Sequence, residues 1–100
     1  MNYIVIVRGT LKDSDESYSR KTHDATVDMI GENGRAMGNF SHRAYLNPQN
    51  RREFLAVDMW DNLEGPQKLL QDPKLAEEFG KLFEGKPDVT VLEESGWTAW

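Results

Sequence analysis

The sequence predicts an α+β fold in which a four-stranded antiparallel sheet carries two helices on one face. Apolar runs typical of strands lie near both ends of the chain and in its middle. Segments with helical periodicity separate them, so the order is strand, helix, strand, strand, helix, strand. A length of 100 residues fits one domain, and we expect that domain to span residues 1–100.

The first strand and the first helix follow from a change in periodicity. Residues 3–7 form a continuous β-branched and aromatic run, which predicts a strand over about residues 2–9. Asp13 or Ser14 can cap the helix that follows. The segment Gly31–Gly34 predicts the end of this helix and a loop. The inward face of the helix is expected at helical spacing, on Tyr18, Thr22, Ala25 and Met29. His23 lies beside this stripe, so it can point partly into the gap between the helix and the sheet.

The middle of the chain predicts an antiparallel hairpin. Phe40–Leu46 and Glu53–Trp60 are rich in residues that favour strands. The segment 47–50 between them reads Asn-Pro-Gln-Asn, which is typical of a turn.

The last third of the chain predicts helical segments and a closing strand. Asp61 and Glu64 have the spacing of a capping box, and Asp72 with Pro73 restarts the helix. Val89–Leu92 is the last strand. This order of elements is the ferredoxin-like arrangement, whose right-handed crossovers place both helices on one face. The apolar stripe of the second helix is expected at Leu75, Phe79, Leu82 and Phe83.

Two strands are apolar on both of their faces, which predicts a homodimer. The first strand and the segment 54–57 have apolar residues at consecutive positions. One layer of helices covers only one face, so we expect a second subunit to cover the face that carries Leu55, Val57 and Met59. Trp97 and Trp100 are expected to pack against that partner.

Composition excludes several classes of function. The 17 acidic and 12 basic residues give a net charge of −5, and the basic residues are scattered, so we expect no nucleic-acid binding. Without cysteine, the chain has neither a disulfide nor a thiol nucleophile. It has no apolar run long enough for a signal peptide or a membrane span, so we expect a cytoplasmic protein. Motifs of serine hydrolases, dinucleotide-binding proteins and P-loop proteins are also missing.

The region from strand three onward resembles a known superfamily. The stretches 58–65, 69–73, 75–79 and 89–92 read Asp-Met-Trp-Asp-Asn-Leu-Glu-Gly, Leu-Leu-Gln-Asp-Pro, Leu-Ala-Glu-Glu-Phe and Val-Thr-Val-Leu. Together they resemble the dimeric α+β barrel superfamily, and its antibiotic biosynthesis monooxygenase-like branch above all. The resemblance implies a cofactor-independent monooxygenase acting on a small aromatic or quinol-like molecule.

Haem-degrading members of that superfamily carry an Asn in strand one, and a Trp and a His on the second helix. This chain has Ile4–Val7 in the strand and Leu69, Leu70 and Phe79 in the corresponding part of the helix. We therefore expect no haem and no other cofactor.

The two histidines, His23 and His42, are the side chains best suited to move protons near neutral pH. They lie on different elements without the spacing of a zinc pair, so we expect no metal. If the hairpin pairs Leu46 with Phe54, His42 lies opposite Asp58. A slip of one residue pairs the opposite faces, and spacing leaves both registers open.

These residues support two functional hypotheses from different classes. In the first, His42 is a general base, Asp58 orients it, and His23 is a second proton carrier. In the second, the histidines and Asp58 are structural, and the protein is a non-catalytic small-ligand-binding or accessory dimer. An isomerase that works by proton transfer is a third possibility. In the catalytic hypothesis the substrate is held by Tyr18, Trp60 and Phe79.

Overall fold

A computed structural model describes all 100 residues, which form four strands and three helices. The strands build one antiparallel sheet, and the helices pack against one of its faces. The predicted fold class is therefore confirmed, although the second crossover consists of two helices instead of one. In chain order the elements are β1 (Tyr3–Leu11), α1 (Glu16–Ala36), β2 (Asn39–Asn47), β3 (Asn50–Trp60), α2 (Glu64–Leu70), α3 (Pro73–Leu82) and β4 (Phe83–Glu93). The sheet order is β2-β3-β1-β4.

The break between α2 and α3 lies where the sequence places it. The Asp72 carboxylate accepts a hydrogen bond from the backbone N–H of Lys74 at 2.9 Å, which caps α3. Pro73 occupies the first helical position, where its missing N–H costs nothing. A new helix axis therefore begins at this point.

The start of α2 differs from the prediction. Asp61 does not form the expected capping box, because α2 has no side-chain bond from its cap residue. Instead, the Asn62 side-chain oxygen accepts a hydrogen bond from the backbone N–H of Gly65 at 2.6 Å. The predicted capping residue was therefore wrong by one position: the side chain of Asn62, and not that of Asp61, accepts a hydrogen bond from the first turn of α2.

Helix α1 begins later and ends later than predicted. Its N-cap is Asp15, whose carboxylate accepts bonds from two backbone N–H groups of the first turn, so the caps expected at Asp13 or Ser14 were wrong. The helix also continues through the Gly31–Gly34 segment to Ala36. A β-carbon on Gly34 would lie at ordinary van der Waals distance from Asn39, 3.8 Å from its Cβ, and from the Trp60 ring at 4.0 Å, so this end of the helix packs directly against the sheet.

The face of α1 that turns inward is not the predicted one. Tyr18 and Met29 are 55% and 48% exposed, so the expected apolar stripe faces solvent. The buried residues are Ser19, Thr26 and Gly34. The inner face of α1 is polar or small because its side chains have polar partners on other elements, as described below.

The hairpin adopts the register that pairs Leu46 with Phe54 and His42 with Asp58. A register shift between Asn39 and Ser41 leaves Phe40 without a partner in the ladder. Phe40 lies in this bulge and is 53% exposed.

Strand β4 is longer than predicted, because Phe83 begins it instead of ending the helical stripe of α3. Phe83 is 2% exposed and pairs with Leu11 of β1. Its ring occupies the space beside Gly9, where an added β-carbon would lie 2.7 Å from Cδ1. The glycine in β1 therefore makes room for this core aromatic.

The core lies between the helices and the inner face of the sheet. Its buried side chains include Val5, Val7, Phe54, Ala56, Trp60 and Leu82. On the outer face of the sheet Ile4, Ile6, Leu55, Val57 and Met59 are only half-buried. None of the helices is long and apolar enough to span a bilayer.

Candidate active site

A cavity of about 130 Å³ lies between the sheet and the helices. It is mostly apolar, since 13 of its 23 lining residues are hydrophobic. Small-molecule sites usually combine such a lining with a few placed polar groups. Here the polar side chains that line the cavity include His23, Thr26, His42, Asp58 and Glu78.

His42 and Asp58 face each other across β2 and β3. The Nδ1 atom of His42 lies 2.5 Å from Oδ1 of Asp58. Their side chains are 27% and 21% exposed, so the contact is partly shielded from water. A carboxylate at Nδ1 fixes the ring orientation and places the proton on that nitrogen.

The second histidine approaches from α1. The Nε2 atoms of His23 and His42 lie 2.8 Å apart, which is a hydrogen-bond distance. The two rings are inclined by only 21°, with 5.0 Å between their centroids. The helix and the sheet thus bring together the two residues that the sequence separates by 19 positions.

Asp24 extends these contacts to a row of four side chains, Asp58, His42, His23 and Asp24. The Nδ1 atom of His23 lies 2.9 Å from Oδ1 of Asp24, its neighbour along α1. The His23 side chain is 18% exposed, whereas that of Asp24 is 61% exposed. Asp24 could not be recognised from the sequence, because an aspartate on a helix surface is ordinarily solvated.

The pKa of His42 is raised above its ordinary value, chiefly by the hydrogen bond to the Asp58 carboxylate. Burial acts in the opposite direction, while the negative charges of Asp58 and Asp24 raise the pKa further. The hydrogen bond to Asp58 therefore makes His42 a stronger base.

Glu78 also lines the cavity, although it was not among the residues predicted from the sequence. Its carboxylate accepts hydrogen bonds from the Thr26 hydroxyl at 3.1 Å and from the Lys81 ammonium at 3.0 Å. The bond from Lys81 is the main reason that the pKa of Glu78 is lowered, and burial opposes it. Its helical spacing between Leu75 and Leu82 was a usable signal, because it places Glu78 on the buried face of α3.

The three residues expected to hold a substrate have different positions. Trp60 and Phe79 line the cavity, but Tyr18 does not, so its assignment to the pocket wall was wrong. Tyr18 lies on the solvent face of α1 because His23 and Thr26 occupy the inner face. Trp60 is 2% exposed, and its Nε1 atom is buried without a hydrogen-bond partner.

No group of three or more acidic, histidine or cysteine side chains is arranged to hold a metal ion. Each ring nitrogen of the two histidines has a side-chain partner within the protein. The site is therefore built from proton-binding groups beside an apolar cavity.

No protein-family model matches the sequence, and no curated protein matches it. Solved structures do match it. SnoaB, a cofactor-independent oxygenase from Streptomyces nogalater, superimposes with a TM-score of 0.75 at 11% identity, over 96% of this chain and 95% of that one. A candidate antibiotic biosynthesis monooxygenase from Bordetella bronchiseptica gives a TM-score of 0.74 at 13% identity, over 93% of this chain and 96% of that one.

The chain has the same fold as these two proteins. Rv0793 from Mycobacterium tuberculosis shares it too, with a TM-score of 0.66 at 18% identity over 99% of this chain and 100% of that one. The resemblance found in the sequence is thus confirmed for the fold. One fold hosts more than one chemistry, so the function depends on the residues of the site.

Proposed function

We propose that the protein is a cofactor-independent monooxygenase that acts on a small aromatic or quinol-like substrate in the cavity. The observation that carries the proposal is the row Asp58, His42 and His23 on the wall of an apolar cavity, with contacts of 2.5 Å and 2.8 Å. An oriented base next to an apolar chamber suits the deprotonation of a weakly acidic aromatic molecule. The fold shared with SnoaB, itself a cofactor-independent oxygenase, supports the same chemistry.

In this mechanism His42 is the general base and Asp58 holds its ring. In the resting structure Nε2 of His42 contacts His23, so the two rings part before that nitrogen meets a substrate. Substrate deprotonation then forms an imidazolium that the Asp58 carboxylate stabilises. His23, now separate, is the second proton carrier.

The reaction balances with dioxygen as the sole oxidant. A substrate with an activated CH₂ group loses a proton, and the resulting anion transfers an electron to O₂. Recombination forms a C–O bond, and protonation gives a hydroperoxide. Loss of water leaves a carbonyl, so CH₂ + O₂ becomes C=O + H₂O. The substrate supplies all the electrons, and the protein supplies only proton transfers and binding.

Trp60 and Phe79 are the proposed substrate contacts. The unpartnered Nε1–H of the buried Trp60 is a hydrogen-bond donor without an acceptor, and such groups are costly to leave unpaired. A phenolic or quinone oxygen would satisfy it. Phe79 offers an aromatic surface and is itself held edge-on by Phe83, with 5.7 Å between ring centroids.

The proposed assembly is a homodimer that pairs the outer faces of two sheets. Tyr45 and Leu92 on this face are 52% and 46% exposed, and they extend the half-buried centre of the sheet. Trp97 and Trp100 are almost fully exposed, so a partner would also shelter this aromatic tail. A second copy is the occupant because it offers the same apolar surface.

One observation favours the second candidate, a non-catalytic ligand-binding dimer. All four ring nitrogens of His23 and His42 are engaged by side chains of the protein itself. A fully satisfied polar network is also what a purely structural role requires.

Oxygen uptake with a panel of phenols, quinols and aromatic ketones that carry an activated CH₂ group distinguishes the two candidates. We expect uptake and incorporation of one ¹⁸O atom per product. His42→Ala should lower kcat by about 10²–10⁴-fold while the protein stays folded at the assay temperature. Asp28→Asn, an exposed carboxylate change on α1, is the control and should leave kcat unchanged. A folded parent protein that binds such molecules without consuming oxygen would establish the non-catalytic alternative.

A further inference from the structure

Four side chains form one continuous row that runs from the cavity wall to solvent. Its contacts are Asp58 to His42 at 2.5 Å, His42 to His23 at 2.8 Å and His23 to Asp24 at 2.9 Å. The exposed fraction of the side chain stays below 30% for the first three residues and reaches 61% at Asp24. The row therefore runs from a partly buried end at Asp58 to a solvent-exposed end at Asp24.

The number of protons in the row follows from its geometry. A carboxylate only accepts hydrogen bonds, so the Nδ1 atom of each histidine carries a proton toward its aspartate. The two Nε2 atoms then face each other at 2.8 Å, and this contact requires one proton between them. Two lone pairs would repel each other, and so would two N–H groups.

We propose that His23 and His42 share one proton, and that Asp24 is a positioning residue that makes the pair a proton relay between the cavity and solvent. The pair of rings then carries a single positive charge between two carboxylates. The negative charges of Asp58 and Asp24 stabilise this positive charge, and each of the four ring nitrogens has a hydrogen-bond partner.

None of the other charged side chains near the row forms an ion pair with one of its members. Glu16 lies with His23 along a second cavity, but it is bound by Arg51 at 2.7 Å. Glu78, on the first cavity, is held by Thr26 and Lys81. Arg20 and Arg35 line the second and first cavities, respectively, and neither forms an ion pair with an aspartate of the row. Phe54 packs against His23 with 5.8 Å between ring centroids and shields the relay from the core side.

The relay deepens the proposed function and rests on it for its role in catalysis. When the two rings part, the shared proton stays on His23, and Nε2 of His42 accepts a proton from the substrate. His23 then releases its Nε2 proton to water, while its Nδ1 proton stays on the bond to Asp24. When the rings close again, one proton lies between the two Nε2 atoms. One proton enters and one leaves, and no electrons move.

Nuclear magnetic resonance of the protein labelled with ¹⁵N-histidine tests the relay without any substrate. We expect both Nδ1 atoms to be protonated, both Nε2 atoms to resonate between their protonated and unprotonated positions, and a scalar coupling to join the two Nε2 nuclei. Asp24→Asn should abolish the coupling and Asp24→Glu should restore part of it. Asp28→Asn, an exposed change on the same helix, should leave it intact.

Two results would overturn the relay: no coupling between the Nε2 nuclei of the folded parent protein at any pH across the neutral range, or a coupling that survives Asp24→Asn unchanged. Neither result touches the oxygenase proposal, which is decided by oxygen uptake. Conversely, a coupling that disappears in Asp24→Asn supports the relay even if the parent consumes no oxygen.

Discussion

Gly65 lies against the indole ring of Trp60 so closely that no side chain fits between them. A β-carbon at position 65 would lie 2.8 Å from Cζ3 of Trp60 and 2.5 Å from the carbonyl oxygen of Met37. This contact holds the start of α2 against the end of β3. Because Trp60 also lines the cavity, the glycine fixes one wall of the candidate site.

Gly65→Ala should therefore destabilise the protein. Both obstructing groups are fixed, one of them backbone, so the methyl group forces a shift worth about 1–3 kcal/mol. For a domain of this size the melting temperature should fall by about 4–8 °C per kcal/mol. Thermal unfolding followed by circular dichroism measures the effect.

Gly80→Ala is the matched control. A β-carbon at position 80, in α3, would meet nothing within 4 Å. Alanine is the better helix former, so this change should raise stability by about 0.5–1 kcal/mol. Equal effects of the two substitutions would show that the contact with Trp60 is not tight.

Strand patterns were informative because their side chains alternate between a buried face and a half-buried face. Phe54, Ala56 and Trp60 are buried, as that alternation requires. The hairpin register could not be predicted in this way, because the alternating pattern is compatible with more than one pairing of β2 with β3. Contacts distant in sequence, such as the one from α1 to His42, select the register that pairs His42 with Asp58.

The inward face of α1 was not predictable from hydrophobicity. His23 and Thr26 point inward because their partners are His42 on β2 and Glu78 on α3. These partners are distant in sequence, so the pattern of apolar residues alone predicts Tyr18 and Met29 on the inward face instead. Polar residues with distant partners are where local reasoning fails, and here they are also the candidate site.

We expect the protein to be a dimer at micromolar concentration, and Val57→Asp to break it. Val57 lies at the centre of the outer face of the sheet, opposite Ile6 of β1. Burying a carboxylate there costs desolvation free energy that pairing with Arg43, its neighbour on β2, offsets only in part, so dimerisation should be lost. Sedimentation velocity measures the state of both proteins.

Leu63→Asp is the control for Val57→Asp, because it introduces the same charge at a residue 39% exposed on the helix side of the sheet. It should leave the dimer intact. If Val57→Asp unfolds the chain, dilution of the parent protein tests the same point through its dissociation. A parent that sediments as a stable monomer at all concentrations would contradict the proposed assembly.

The stability of the folded protein should fall as the pH rises above neutrality because of His42. The pKa of His42 is raised above its ordinary 6.5, mainly by the hydrogen bond to Asp58, so the folded state binds this proton more tightly than the unfolded state. The resulting stabilisation is fully present below pH 6.5 and is lost as the pH rises through the pKa of the folded protein. Glu78 acts in the opposite sense, since its pKa is lowered from 4.5 and its contribution is lost only in acid.

Denaturant unfolding of the parent and of His42→Gln over this range measures the effect. The parent's free energy of unfolding should decline on the alkaline side, and that of His42→Gln should stay flatter there while keeping the acid loss. A parent whose stability rises from neutral to alkaline pH would show that the bond between His42 and Asp58 does not favour the protonated ring.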